Sequence, residues 1–202
     1  MIKKNILIWN FKTVMFFLIT VFGFCQCQAI EVLSEVRAAY YYPTDSRFRD
    51  IYSNAGLYSF ETSVQTYKKL YSWTSIGFLY TSGNSLGEED STELYMVPIG
   101  LGLKYFFHYR RVKPYLGGGL LTSYVHIHND SAYVERNQSD WVIGGIVKTG
   151  LLADLSEAVF LDFFMDYTYL SKNFDSSSHR YVITRKGNLS GLSFGAGLGY
   201  RF

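Results

Sequence analysis

The chain has 202 residues, 19 Lys and Arg against 17 Asp and Glu, a formal net charge of +2, and 18% aromatic residues, with 18 Tyr and 16 Phe. So even a balance leaves no basic stripe, which excludes a nucleic-acid-binding surface, and the length suits one domain. A water-soluble core does not easily bury that many rings, whereas a membrane barrel places them in two interfacial girdles.

At the N-terminus, Lys3, Lys4 and Lys12 precede an apolar run from Val14 to Phe24, and Cys27-Gln28-Ala29 offers small residues at both cleavage positions. This order predicts a cleaved signal peptide over 1–29 and a mature domain over 30–202. The apolar run is too short to span a bilayer as a helix, and no run of eighteen apolar residues follows it. An uncleaved anchor is the alternative reading, and a lipidated cysteine ranks below the signal peptide, because Phe24 and Gln26 suit it poorly. Cleavage after Ala29 removes Cys25 and Cys27 and three lysines, leaving 16 basic against 17 acidic residues and no thiol chemistry.

From there the period-two pattern predicts eight strands, at 32–42, 55–66, 69–82, 92–107, 114–127, 140–153, 158–170 and 188–202. The connections after the odd strands are long: Pro43–Asn54, Gly83–Ser91, His128–Ser139 and Ser171–Gly187. Those after the even ones are short: Tyr67-Lys68, His108–Lys113 and Asp154–Glu157. Long extracellular loops alternating with short periplasmic turns are the pattern of an all-β, eight-stranded, antiparallel up-and-down transmembrane barrel. One helical turn is predicted in the first loop, between Pro43 and Tyr52, around Phe48, Ile51 and Tyr52.

The faces follow from alternation. In the fourth strand Tyr95, Val97, Ile99, Leu101, Leu103, Tyr105 and Phe107 are predicted outward, with Pro98 on the other face marking a bulge. The sixth strand places Trp141, Ile143 and Val147 outward and Lys148 inward. The seventh places Leu161, Phe163, Met165 and Tyr167 outward and Phe160, Asp162, Phe164 and Asp166 inward. Trp73 and Gly117-Gly118-Gly119 read either way. The last strand is the clearest. Leu192, Phe194, Ala196, Leu198, Tyr200 and Phe202 share one apolar face, and Ser193, Gly195, Gly197, Gly199 and Arg201 the other. An apolar row opposite near-bare backbone fits lipid outside and a lumen inside.

The terminal strand ending on Phe202, the loop alternation, and the segments Val97-Pro-Ile-Gly-Leu-Gly-Leu-Lys-Tyr-Phe106 and Pro114-Tyr-Leu-Gly-Gly-Gly119 resemble the small eight-stranded bacterial outer-membrane barrels. Those include the membrane domain of OmpA and the OmpX and OmpW types. The resemblance implies residence in the bacterial outer membrane among its lipids and lipopolysaccharide, recognition of Phe202 by the barrel-assembly machinery, and surface ligands met through the loops. It covers the mature chain and reports architecture more than activity. Such barrels include structural proteins, adhesins, narrow channels and a few lipid-modifying enzymes.

The candidate chemistry lies on the inward face. Glu35, Arg37, Glu61, Lys104, Lys148, Asp162, Asp166 and Arg201 are all predicted inside, four acidic and four basic. An eight-stranded interior is just wide enough for side chains to fill, so these charges are expected to pair into a structural network, with Phe106, Phe160 and Phe164 filling the rest. Asp162 and Asp166 stand about 13 Å apart along one strand, too far for a catalytic pair, and are expected to meet Lys148 and Arg201. His126 and His128 share a face with Asp130, but no third spaced ligand supports a metal site, His108 being predicted at the opposite end. Ser123 and Ser131 lie near the histidines without a spacing that singles them out for catalysis. Gly117–Gly119 lacks the lysine of a phosphate loop. Glu88-Glu89-Asp90 makes the second loop acidic, while Arg180, Arg185 and Lys186 make the fourth basic; solvated loops are the first reading, and pairing of the loops or binding of lipopolysaccharide phosphates the alternative. The expectation is a non-enzymatic barrel without catalytic, cofactor or metal residues. A narrow OmpW-type channel is the alternative and a lipid-modifying enzyme the third reading.

Overall fold

The computed structural model describes residues 30–52, 55–84, 91–107, 111–129, 137–176 and 183–202. The expected signal segment, 1–29, lies outside them, as do His108, Asp130, Ser131, Glu88-Glu89-Asp90 and Arg180. Among the described residues nine strand segments occur: β1 (Val32–Pro43), β2 (Ala55–Tyr67), β3 (Leu70–Asn84), β4 (Ser91–Phe106), β5 (Val112–Asn129), β6 (Asn137–Asp154), β7 (Val159–Ser176), β8 (Ile183–Asn188) and β9 (Gly191–Arg201). β1 to β7 pair antiparallel in chain order, β8 pairs antiparallel with β7, and β9 closes the ring by pairing with both β7 and β1. β8 continues the line of β9 against the outer half of β7, so β8 and β9 together form the eighth staff of a closed eight-stranded barrel.

The break between β8 and β9 has a local cause. Ser190 leaves the ladder and uses its hydroxyl instead: Leu170 N donates to Ser190 Oγ at 3.0 Å, while Leu189 N donates to Leu170 O at 2.9 Å. The last strand thus begins earlier than the predicted residue 188, and the fourth loop is correspondingly shorter than Ser171–Gly187. β5, β6 and β7 each run 18 residues, about 60 Å of extended chain. Even tilted, that exceeds a hydrocarbon band of about 25 Å, so these strands project beyond it at the loop end.

Pro98 does not mark a bulge. The β3–β4 register is the same on both sides of it, Ile76↔Ile99 and Leu79↔Met96, so no residue is inserted. The proline ring lacks a donor, and the ladder lapses for two pairs, Gly77/Pro98 and Phe78/Val97; Gly77 opposite gives the ring room, a Cβ there meeting Pro98 Cγ at 3.0 Å. The bulge in this sheet lies instead between Gln65 and Tyr67, where β2 turns into β3 through Lys68 at a φ of 48°.

The outward rows are those the alternation predicts. Val36, Leu101, Leu120, Ile143, Val147, Phe163 and Leu198 are all more than half exposed. Tyr40, Tyr80, Trp141, Tyr167 and Phe194 ring the belt toward the loops, and Tyr67, Tyr105, Tyr200 and Phe202 ring it at the end where β1 starts and β9 finishes. Trp73, Gly117 and Gly119 turn inward and Gly118 outward.

The inward glycines are sockets rather than bare backbone. A Cβ on Gly199 would meet Phe160 Cε1 at 2.7 Å, one on Gly150 would meet Tyr115 Cζ at 2.6 Å, and one on Gly100 would meet Trp73 Cζ3 at 2.9 Å. Each ring lies flat on the neighbouring strand because glycine leaves the space for it, which is how so narrow a lumen holds so many aromatics. The helical turn predicted in the first loop is present as α1 (Ser46–Ile51). It folds into the mouth: Phe48 packs on Tyr52 at 4.7 Å between centroids, and the buried Tyr52 bridges to Gly83 and shares a 3.3 Å hydrogen bond with Thr92 Oγ1.

Candidate functional site

Seven of the eight predicted inward charges meet in one layer across the lumen, each at most 5% exposed: Glu35, Arg37, Glu61, Lys104, Lys148, Asp162 and Asp166. They come from five strands, β1, β2, β4, β6 and β7, placed there by the pleat. Arg37 is the hub. Its Nη1 donates to Glu61 Oε2 at 3.1 Å and Asp166 Oδ2 at 3.0 Å. Its Nη2 reaches Asp162 Oδ2 at 3.3 Å and donates to Tyr115 Oη at 3.2 Å. Its guanidinium lies 3.4 Å from the centroid of Phe164, a stacked cation–π contact.

The two lysines close the network. Lys148 Nζ sits 2.9 Å from both Glu61 Oε2 and Asp166 Oδ2. Lys104 pairs with Glu61 and lies 3.6 Å from Glu35 Oε1. Tyr115 Oη donates to Asp162 Oδ2 at 2.9 Å. Both lysine ammoniums also face rings, Lys104 over Tyr115 at 4.8 Å and Lys148 over Trp73 at 4.6 Å. Buried charges persist only when their partners replace the water they lose, and this layer supplies such partners on both signs.

Arg201 corrects the expected balance. It lies on the inward face but at the rim, where its Nε meets Glu31 Oε1 at 2.5 Å and its Nη2 donates to Asp154 Oδ1 at 2.6 Å. It never reaches Asp162, whose cation is Arg37. The central layer therefore holds four carboxyls and three cations. Lys148 does meet Asp166, as expected. Asp162 and Asp166 are bridged by one side chain, the two Nη atoms of Arg37 spanning what distance along the strand separates. Tyr115 was missed as a member of the network. The faces of the fifth strand read either way in sequence, and only the closed barrel brings the Tyr115 hydroxyl to Arg37.

Apolar clusters flank the layer above and below. On the loop side Tyr41, Tyr52, Trp73, Leu79, Leu94, Met96, Val125 and Leu170 pack together; on the turn side Leu33, Tyr71, Phe106, Leu152, Phe160 and Phe164 do. Between the ionic layer and the loop-side cluster lies a cavity of about 40 Å³, lined by Arg37, Lys148, Asp166, Ser59, Ser75 and Met96 among others. That volume admits a few water molecules at most.

The histidines stand apart from this site. His126 and His128 lie half-buried on the outward face of β5, His126 at 6.3 Å from the Tyr95 ring. Ser123 is fully buried on the opposite, inward face, so the strand itself separates it from both. Among the described residues no three His, Cys, Asp or Glu side chains gather as metal ligands.

No family model and no curated protein matches the chain. Solved structures do. The Escherichia coli outer membrane protein W aligns with a TM-score of 0.59 at 13% identity, covering 88% of this chain and 100% of its own. Neisserial surface protein A aligns at 0.56 and 17% identity, covering 87% and 98%. Ail, the attachment invasion locus protein of Yersinia pestis, solved with the heparin analogue sucrose octasulfate, aligns at 0.56 and 11%, covering 87% and 100%. At such identities the likeness is one of fold, and with the closed ring, the outward apolar belt and the inward charges it places this chain as an eight-stranded antiparallel barrel of the small outer-membrane type.

Proposed function

We propose that this protein is a non-enzymatic barrel of the bacterial outer membrane whose lumen is a structural plug and whose loop end is an interaction surface. The observation that carries the reading is the ionic layer held between two apolar clusters, which leaves no continuous polar path through the described residues. The separation of Ser123 from the histidines by the strand supports a non-catalytic role. A barrel of the same fold, Ail, has been solved in complex with the heparin analogue sucrose octasulfate, which supports a ligand-binding role for such a barrel. Lipopolysaccharide, the assembly machinery at Phe202 and a surface ligand at the loops are the proposed partners.

A narrow channel is the second reading, favoured by the cavity beside Arg37, Lys148 and Asp166. Planar-bilayer recordings separate the two. The plug reading expects no stable, solute-selective conductance, and a Lys148→Ala protein that melts at lower temperature without becoming permeable. Reproducible openings abolished by Lys148→Ala at an unchanged melting temperature would establish the channel instead.

The domain division is likewise a proposal: export with cleavage after Ala29. Intact mass of membrane-extracted protein is expected to begin at Ile30, and a mass retaining 1–29 would restore the anchor reading.

A further inference from the structure

The lipid-facing surface is not uniform at the end where β1 starts and β9 finishes. On β4 to β9 it presents residues such as Leu103, Leu116, Phe163 and Leu198. On β1 to β3 it presents hydroxyls: Ser34 Oγ lies 3.3 Å from Thr62 Oγ1, Thr66 Oγ1 lies 3.2 Å from Ser72 Oγ, and Thr74 is exposed beside them. Hydroxyls facing hydrocarbon are unfavourable, since the alkane offers no hydrogen-bond partner. At the level of phospholipid headgroups and ester carbonyls they have many.

Directly below this patch the turn between β2 and β3 exposes Lys68 and Lys69, and the next turn, between β4 and β5, exposes Arg111. The two turns adjoin: Phe106 N, at the end of β4, donates to Lys69 O at 2.9 Å. None of the three cations forms an ion pair with a described residue. Of the acids at this end, Glu31 is engaged by Arg201 and Asp154 by Arg201 and Lys113, while the exposed Glu157 stands on the β6–β7 turn, outside this sector. Three cations with no ion pair among the described residues therefore cluster at this end beneath a hydroxyl-bearing outer wall.

We propose that this sector, Lys68, Lys69 and Arg111 with the hydroxyls of β1–β3, binds the phosphate headgroups of anionic phospholipids in the inner leaflet of the outer membrane. The lysines and arginine meet the phosphate, and the hydroxyls meet the glycerol and ester oxygens just above it, so a bound lipid satisfies both halves of the surface at once. The short turns of outer-membrane barrels face the periplasm, which puts the sector at the inner-leaflet surface. The attraction scales with the number of cations near the surface and is screened by salt.

The test uses the barrel in phosphatidylcholine vesicles containing a minor fraction of phosphatidylglycerol, with spin-labelled forms of both lipids reporting which is held at the protein surface. Wild type is expected to hold phosphatidylglycerol over phosphatidylcholine by roughly fivefold or more, the effect of a single well-placed cation at about 1 kcal/mol. The Lys68→Gln, Lys69→Gln, Arg111→Gln protein is expected to fall close to equal association, and Arg49→Gln, at the loop end, to keep the preference. These turn residues are exposed, and the gel-mobility shift on heating verifies that each variant folds; Lys69→Gln alone, giving a partial loss, serves if the triple variant does not. No preference in wild type, or an undiminished one in the folded variants, overturns the proposal. So does a result in which the variants keep lipid selectivity but lose co-sedimentation with isolated peptidoglycan, which would make the cations a cell-wall contact.

Discussion

Replacing Arg37 with methionine is expected to destabilise the barrel by about 3–5 kcal/mol, because it strips the hub from a buried ionic layer and leaves charge uncompensated. The effect is uneven across its partners. Glu61 keeps both lysines and Asp166 keeps Lys148. Asp162 keeps only the Tyr115 hydroxyl at 2.9 Å. Most of the loss should therefore be recovered by adding Asp162→Asn, and a double-mutant cycle read by urea unfolding in lipid vesicles measures that coupling. Arg37→Met should exceed Lys148→Ala, since both carboxylates that Lys148 touches also touch Arg37. A loss below about 1 kcal/mol, the range of exposed pairs, would mean that the layer is hydrated and contributes little to holding the lumen closed.

Leu198→Arg is expected to cost about 2–4 kcal/mol in a bilayer if it lies near the midplane. Leu198 is 57% exposed, pairs with Val36 on β1 and Leu161 on β7, and is surrounded by the outward apolar belt. The same charge at Tyr200, closer to the rim, should cost only about 0–1 kcal/mol, because a long cation there reaches the headgroups. Equal and negligible costs at both positions would show that this face does not meet hydrocarbon. The experiment requires refolding into vesicles, since a detergent micelle deforms around a misplaced charge.

Much of this protein was legible before folding was considered. A strand pleat has a period of two, so Leu198 and Gly199, or Lys148 and Val147, must face opposite ways wherever the strand lies, and their chemistry says which way is lipid. That single rule yields the eight strands, the outward belt and the inward side of all eight charges. The alternation of loop lengths adds the up-and-down order, and the helical turn around Phe48 follows from local apolar spacing.

Period two assigns a face but not a depth. Depth comes from strand stagger, a property of the closed ring that no single strand encodes. Arg201 and Asp162 share the inward face, yet stagger leaves Arg201 at the rim with Glu31 and Asp154 and carries Asp162 to Arg37. The same stagger brings Asp166 to Arg37 across 129 residues and Tyr115 to both Arg37 and Asp162. Pro98 reads as a bulge because sequence shows only its missing donor; the unbroken register across Gly77 belongs to the neighbouring strand. The inward glycines read as empty until Phe160, Tyr115 and Trp73 are seen filling them. Sequence fixes the side of the wall on which each residue stands, because that depends on its own strand alone. Tertiary structure decides which residues meet, because that depends on how eight staggered strands close.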